Sequence, residues 1–398
     1  MIRCGRPLGG FHPSGDPASP QEVARLAAAE ETFGIDLMRL QLAASPDTNV
    51  LLSPLSAHLD LSMLELGAAG PTTQQIATAL QTTGLSADAQ AQAWNSLSQE
   101  LLAAESSGEL HLANSLWLAR GLHVEAGFVE AAARSFGDDT YQTNFQTAAA
   151  TNAINAWIAR ETGGRIQRLL QPGQLAPYTE VVLANAIHFH AAWAHKLFAD
   201  ATVSNQPFRV AGGGTVSVPS LVDSEDRFAF TVTHGYDAVQ IPYSNGRYAA
   251  LLVEPTGQSM ASLLAGLSPG QLQSLTAGLR NGYVSLTMPE LKLASNTSLI
   301  DPLATMGMAP VFVNADFSRM LGAFGATNQA VGVVQQAVTL NVNQWGTDAA
   351  AGTVVSVIPS DAHSSTPIAF NHPYLFLIRD TRTGTLLFSS VVNNPAAG

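Results

Sequence analysis

The stretch Gly346-Thr347-Asp348-Ala349-Ala350-Ala351-Gly352-Thr353-Val354-Val355-Ser356-Val357-Ile358-Pro359 decides how the rest of the chain is read. Immediately before it, Val333 to Asn343 alternates as a strand. Val334, Val338, Leu340 and Val342 share one face, and Gln335, Thr339, Asn341 and Asn343 share the other. Gln336 is the only polar residue on the apolar face, and a buried amide there needs hydrogen-bond partners. If the strand period persists beyond Gly346, then Thr347, Ala349, Ala351, Thr353, Val355 and Val357 point the same way. All are small or β-branched and none is charged, so that face can enter a sheet without burying an ion. Asp348, the one charge in the stretch, falls on the other face. By composition alone the segment is also compatible with an Ala/Gly linker. Its pattern is that of a spare strand, one not bound to be in the sheet.

The C-terminal residues favour the strand. Phe370-Asn371-His372-Pro373-Tyr374-Leu375-Phe376-Leu377-Ile378-Arg379-Asp380 and Gly384-Thr385-Leu386-Leu387-Phe388 are two apolar strands joined by a Gly turn, and Val391-Val392-Asn393-Asn394-Pro395 ends the pattern. With the Gly-Thr-Asp-Ala-Ala-Ala run, this resembles the hinge, reactive-centre loop and C-terminal hairpin of the serpins. That family's loop insertion is itself a standard example of strand addition. Upstream, Asn49-Val50-Leu51-Leu52-Ser53-Pro54-Leu55-Ser56 resembles the serpin Asn-x-x-x-Ser-Pro-x-Ser signature. Ile154-Asn155-x-Trp157 with Thr162-x-Gly164-x-Ile166 matches as well. Met288-Pro289-Glu290-Leu291-Lys292-Leu293, Leu299, Leu303, Met306-Gly307 and Phe312 to Ser318 complete the order. The resemblance runs from about Ala24 to Pro395, and the chain is identified as a serpin of prokaryotic type.

The resemblance implies an α+β fold in a single domain, residues 21–398, after a poorly structured segment 1–20. It implies a large central sheet, two smaller sheets, about eight or nine helices, and an exposed reactive-centre loop near 345–369. The implied function is suicide inhibition of a serine protease through a covalent complex, with the protein a monomer and not an enzyme. Gly346, Thr347, Asp348, Ala349, Ala350 and Ala351 take the place of the hinge. Ser53, Ser56, Asn185 and Gln336 take that of the shutter, where Gln336 stands for the usual His. Trp193 and Gln344 take that of the breach. Family spacing puts the scissile bond at Ser360-Asp361, with Val357, Ile358 and Pro359 before it; the longer distal segment leaves Ile358 and Ala362 as alternative cut positions. A small uncharged residue preceded by Ile-Pro suits the shallow pocket of an elastase-like or subtilisin-like protease. No Lys or Arg lies between Gly346 and Arg379, so a trypsin-like target is not expected. The family usually carries Glu where Gln344 stands, and the segment Pro359 to Phe370 is slightly long. Those departures keep a second class open, a non-inhibitory serpin acting as a binding or storage protein.

Local patterns agree with such a fold. Ser19-Pro20-Gln21-Glu22 is a helix start with a capping Ser, Pro at the first position and Glu three residues after the cap. Leu26, Phe33, Leu37 and Leu40 then recur at helical spacing. Leu112 to Trp117 reads as a strand, Phe128 to Phe136 as a short helix, and Ile154, Trp157 and Ile158 as a helical stripe ended by Thr162-Gly163-Gly164. Val181 to Phe189 is apolar on both faces except for Asn185, so it is a strand buried on both sides.

Composition bounds the function classes. Apolar residues make up 46% of 398, ample for a large core. A net charge of -12 argues against a nucleic-acid or anionic-membrane surface. Cys4 is the single cysteine, so no disulfide framework and no Cys/His metal pattern exist. No apolar run is long enough for a spanning helix. Met1 to Pro20 lacks an apolar h-region, so no signal peptide is read. The family resemblance alone suggests an extracellular or periplasmic setting, with a cytoplasmic one as the alternative. His188, His190 and His195 have no carboxylate at metalloprotease spacing, and no cofactor or metal is implied. Gly266-Leu267-Ser268-Pro269-Gly270 fits a hydrolase nucleophile elbow, but that motif needs a strand before it. Met260 to Gly266 reads as a helix instead, and Ser268-Pro269-Gly270-Gln271 as a cap for the next one.

Overall fold

The computed structural model describes residues 17–103, 110–136, 139–176, 179–194, 202–223, 226–322, 327–348 and 364–397. The first sixteen residues of the segment 1–20 therefore lie outside the described residues. The chain forms two compact units, each assembled from three stretches of sequence. The first comprises Met1–Phe33, Pro54–His188 and Asn296–Val338; the second comprises Gly34–Ser53, Phe189–Ser295 and Thr339–Gly398.

The first unit is helix-rich because its sequence repeats apolar residues at helical spacing. The Pro20–Ala44 helix opens with the expected reciprocal cap. The Ser19 amide donates to Glu22 Oε2 at 2.9 Å, and the Glu22 amide donates to Ser19 Oγ at 3.3 Å. The Pro54–Gly67 helix is buried along all fourteen residues, polar ones included. His58 is held there as a neutral ring between Ser62 Oγ at 3.1 Å and Leu80 O at 3.0 Å, and burial pushes its pKa down to about 4. The Ala148–Glu161 helix turns its stripe Ile154, Trp157 and Ile158 into a core shared with Trp117, Tyr141 and Val182. Trp117 stacks on Tyr141 with centroids 4.3 Å apart. Asn155, from the same motif, accepts at Oδ1 from the Leu169 and Leu170 amides at 2.9 Å each. The strands of this unit include Leu110–Ala119, Asp139–Thr143, Val181–Phe189 up to His188, and Val331–Asn343 up to Val338. Val331–Asn343 runs parallel to Val181–Phe189, with Val334 opposite Leu183 and Gln336 opposite Asn185.

The second unit holds the ten-stranded sheet. Its centre is three antiparallel strands, Tyr248–Pro255, Tyr374–Asp380 and Leu386–Val392. The last two are buried at every residue, and Tyr374 to Ile378 and Leu386 to Phe388 are accordingly apolar. The unit also holds the end of Val331–Asn343 and the short strands Ala191–Ala192 and Gly346–Thr347. These belong to the seven-stranded sheet, so the hinge segment joins that sheet and not the larger one. Among the described residues there are ten α-helical segments rather than the eight or nine expected, two of them, Ile300–Leu303 and Ser318–Leu321, being single turns. The elbow-like motif is a helix cap, as expected. Met260–Gly266 is helical, and Ser268 Oγ accepts from the Gln271 amide at 3.3 Å. The Asn-x-x-x-Ser-Pro-x-Ser segment also finds physical roles here. Asn49 Oδ1 accepts from the Asn393 and Asn394 amides at 2.8 Å each, tying the C-terminal residues to the start of the sheet.

A buried ion pair closes the hairpin of this sheet. Arg247 donates through Nε and Nη2 to Asp380 Oδ2 at 3.1 and 2.7 Å, and Thr383 Oγ1 adds a third donor at 3.0 Å. Both partners are almost fully shielded, at 7% and 0% side-chain exposure. Asp380→Ala leaves a guanidinium buried without its counter-charge, and the expected loss is about 3–5 kcal/mol. The thermal midpoint of the uncut protein reports it; an unchanged midpoint would show that the pair adds nothing to stability.

A candidate hinge and a buried polar cluster

After Asn343 the chain makes a tight turn through Gln344 and Trp345 and comes back as Gly346–Thr347. These two residues pair on both sides. Gly346 lies opposite Asn343 and Thr347 opposite Val342, while on the other flank Gly346 meets Ala192 and Thr347 meets Ala191. They form a two-residue strand between Val331–Asn343 and Ala191–Ala192. Gly346 has φ of 148°, and a Cβ there would overlap Ala191 O and come within 2.8 Å of Ala192 Cα. Only glycine fits this close approach.

Thr347 is the inward residue that the alternation requires, at 1% exposure. Its Oγ1 lies 2.6 Å from the hydroxyl of Tyr243, and the two share one hydrogen bond. Burial raises the Tyr243 pKa far above the usual phenol range, so the ring stays neutral. Tyr243 stacks on Trp193 at 4.6 Å and meets Phe189 edge-on at 4.9 Å. Trp193 is bonded to the turn twice: its amide donates to Trp345 O at 3.1 Å and its Nε1 to Asn343 O at 2.9 Å. Gln344 sits half-buried in the same turn.

The strand ends at Thr347. The φ of 50° at Asp348 is left-handed, which takes the chain out of strand geometry. Two bonds hold it there: the Asp348 amide donates to Asn341 O at 2.7 Å, and Asn341 Nδ2 donates to Asp348 Oδ1 at 2.6 Å. Ala349, Ala350 and Ala351 lie outside the described residues, as do Val357, Ile358, Pro359, Ser360 and Asp361.

In the first unit, Ser56, Asn185 and Gln336 are all buried. Gln336 is the direct register partner of Asn185, and side chains opposite one another on parallel strands share a face. Asn185 Nδ2 donates to Asn114 Oδ1 at 2.5 Å, and Ser56 Oγ donates to the same oxygen at 3.5 Å. Ser53, in the second unit, donates its Oγ to Leu387 O at 2.8 Å. Asn114, Tyr243 and Asn341 join these sites without belonging to any of the motifs in the sequence. For Asn114 a signal exists, an amide inside a mainly apolar strand, much the argument that picks out Asn185. Tyr243 and Asn341 carry no such mark.

Known proteins share the fold in which this geometry sits. A family model described as Serpin (serine protease inhibitor) matches residues 28–395. Serpin-Z1C of Triticum aestivum is 30% identical over 392 residues, covering 93% of this chain and 97% of that protein. Plasminogen activator inhibitor 1 of Sus scrofa is 31% identical over 386 residues, covering 94% and 92%. Among solved structures, the thermophilic serpin tengpin in its native state superposes with a TM-score of 0.85 at 23% identity, covering 98% of this chain and 100% of that one. That likeness concerns the fold. Thyroxine-binding globulin in complex with thyroxine gives a TM-score of 0.79 at 26% identity, covering 93% and 99%.

Tyr243→Phe removes the hydroxyl that holds Thr347 and leaves a buried hydroxyl without this partner. A loss of about 1 kcal/mol is expected, which is about fivefold faster hydrogen exchange at the 342–348 amides. Exchange mass spectrometry on the intact chain measures it, and unchanged protection there would remove Tyr243 from the hinge.

Proposed function

This chain belongs to the serpin family, and we propose that it inhibits a serine protease as a suicide substrate. The observation that carries the reading is the placement of Gly346 and Thr347, already paired on both flanks as the start of an extra strand. The protease serine attacks the carbonyl carbon of Ser360; the amide bond to Asp361 breaks, and Asp361 leaves as a new amino terminus. Ser360 is then held as an ester on the protease. The freed loop extends the strand that begins at Gly346 and carries the acyl-enzyme with it before water completes hydrolysis. The partner is a protease of shallow primary pocket, elastase-like or subtilisin-like, met outside the cell or in the periplasm.

The energetics support a spring of this kind. Inserting about 10 residues forms ladder hydrogen bonds worth roughly 0.5–1.5 kcal/mol each, on the order of 10 kcal/mol together. Burying Val355 and Val357 adds roughly 1.5–3 kcal/mol each. The uncut form is then held by a kinetic barrier and not by being the lowest state. Asp348 supplies part of that barrier, because its φ must become extended and its two bonds to Asn341 must break before the strand lengthens. The second reading, a binding or storage serpin, is favoured by Gln344 in place of the usual Glu.

Incubation with a panel of serine proteases separates the two. A complex that survives SDS is expected with an elastase-like or subtilisin-like enzyme, and its absence across the panel would favour the non-inhibitory reading. Thr347→Arg forces a charge against Tyr243 in the sheet interior, at a cost of several kcal/mol. That variant is expected to be cleaved as a plain substrate with no covalent complex, and an undiminished yield would count against strand insertion. The C-terminal fragment released on complex formation is expected to begin at Asp361 by mass spectrometry; a trapped complex with trypsin, cut at a basic residue, would overturn the target class.

A further inference from the structure

The second compact unit contains a cavity of about 1110 Å³ that the inhibitory reading does not use. Pockets for small organic ligands run to roughly 300–1,000 Å³, so there is room for such a molecule. Its walls are mainly apolar. Leu42 comes from the end of the Pro20–Ala44 helix, Met260, Ala261 and Leu264 from the Met260–Gly266 helix, and Pro373 from the approach to the Tyr374–Asp380 strand.

One carboxyl group is built into this apolar setting. Glu254, near the end of the Tyr248–Pro255 strand, lines the cavity and is only 8% exposed. Its Oε2 accepts from the amides of Asn371 and His372 at 3.0 and 3.2 Å, which fixes the carboxyl in place. Its Oε1 has the half-exposed His372 ring at 3.4 Å. Burial pushes the Glu254 pKa up to about 8, the two amide donors oppose that shift, and the Asp237 charge adds to it. The carboxyl is thus shielded from water, with two neutral amide donors and one imidazole beside it.

The other ionisable groups of the wall bear on which ligand charge the site favours. Asp47 is a second acid on the lining. Arg39 also lines it, but its guanidinium is committed elsewhere. It donates to Leu264 O at 2.7 Å, to Ala265 O at 3.3 Å and to Leu267 O, and it pairs with Asp36 at 2.7 Å. An anionic ligand would therefore meet Glu254 and Asp47 with little cationic compensation. A cationic one would pair with those acids.

We propose that this cavity binds a small molecule with an apolar body and one protonated amine, the amine seated against the Glu254 carboxylate. The body lies on the Leu42, Met260 and Leu264 surface, and the ammonium donates to Glu254 Oε1. The proton displaced from Glu254 leaves to solvent, so the bound pair is one ammonium and one carboxylate. Nothing in this requires the protein to inhibit a protease.

Isothermal titration of the full chain at neutral pH with three matched probes tests it: 4-phenylbutylamine, 4-phenylbutan-1-ol and 4-phenylbutyrate. The amine is expected to bind at least about tenfold tighter than the carboxylate, with the alcohol between them. Glu254→Gln is expected to collapse the preference for the amine while the alcohol still binds. Ala261→Trp, at an exposed position on the cavity wall, is expected to abolish binding of all three with circular dichroism unchanged. Equal or tighter binding of the carboxylate, no saturable binding of the amine, or amine binding untouched by Ala261→Trp would each overturn the proposal.

Discussion

The structure turns on a close approach of backbone to backbone. Gly346 passes so near Ala191 O that no side chain fits, and this lets Thr347 lie between two strands with its hydroxyl on Tyr243. Everything proposed about inhibition depends on that pairing. A strand whose first residues are already bonded on both flanks has passed its most costly step, because each further residue adds ladder bonds without a new loop to close. At the end of that pairing Asp348 holds a left-handed backbone, and Asn341 accepts from its amide and donates to its carboxylate.

Further back along the strand that leads to the hinge, the packing is different in kind. Gln336 and Asn185 face one another across parallel strands, deep in an apolar setting. Asn185 also has Asn114, whose Oδ1 takes hydrogen bonds from both Asn185 and Ser56. A buried amide is costly unless partnered, and apolar residues of similar size would hold two strands together at least as well. Polar side chains between strands make an interface whose bonds can be exchanged, whereas an apolar seam can only be opened by exposing it to water. That property suits a sheet expected to part and accept another strand.

The second unit shows the opposite design. The centre of its ten-stranded sheet, Tyr248–Pro255 and the C-terminal hairpin, is closed by the Arg247–Asp380 pair, and the hairpin has no exposed residue in either strand. Rigidity there is useful to both proposals. It keeps Tyr243 and Trp193 in place beneath the hinge turn, and it fixes Glu254 through the two amides of Asn371 and His372. A carboxyl held by backbone donors cannot swing away from a ligand, so the cavity is preformed.

By itself the sequence determined the elements whose signal is periodic or local. The alternation of Val333 to Asn343, the inward Thr347, the Ser19–Glu22 cap, the Ile154–Trp157–Ile158 stripe, and the Ser268 cap that replaces a hydrolase elbow all come from neighbours a few residues apart. Asn185 and Gln336 were legible because an amide in an apolar run demands a partner wherever the chain goes. The identity of that partner was not, since Asn114 is 71 residues from Asn185 and only the sheet order brings them together. Tyr243 and Thr347 are 104 residues apart, Arg247 and Asp380 are 133 apart, and neither pair leaves a trace in local pattern. The cavity was beyond reach for the same reason: it is the space left between a helix end, a second helix and a sheet margin, and only packing creates space. Short-range periodicity sets which face of an element is buried; which groups meet on that face is decided by tertiary structure alone.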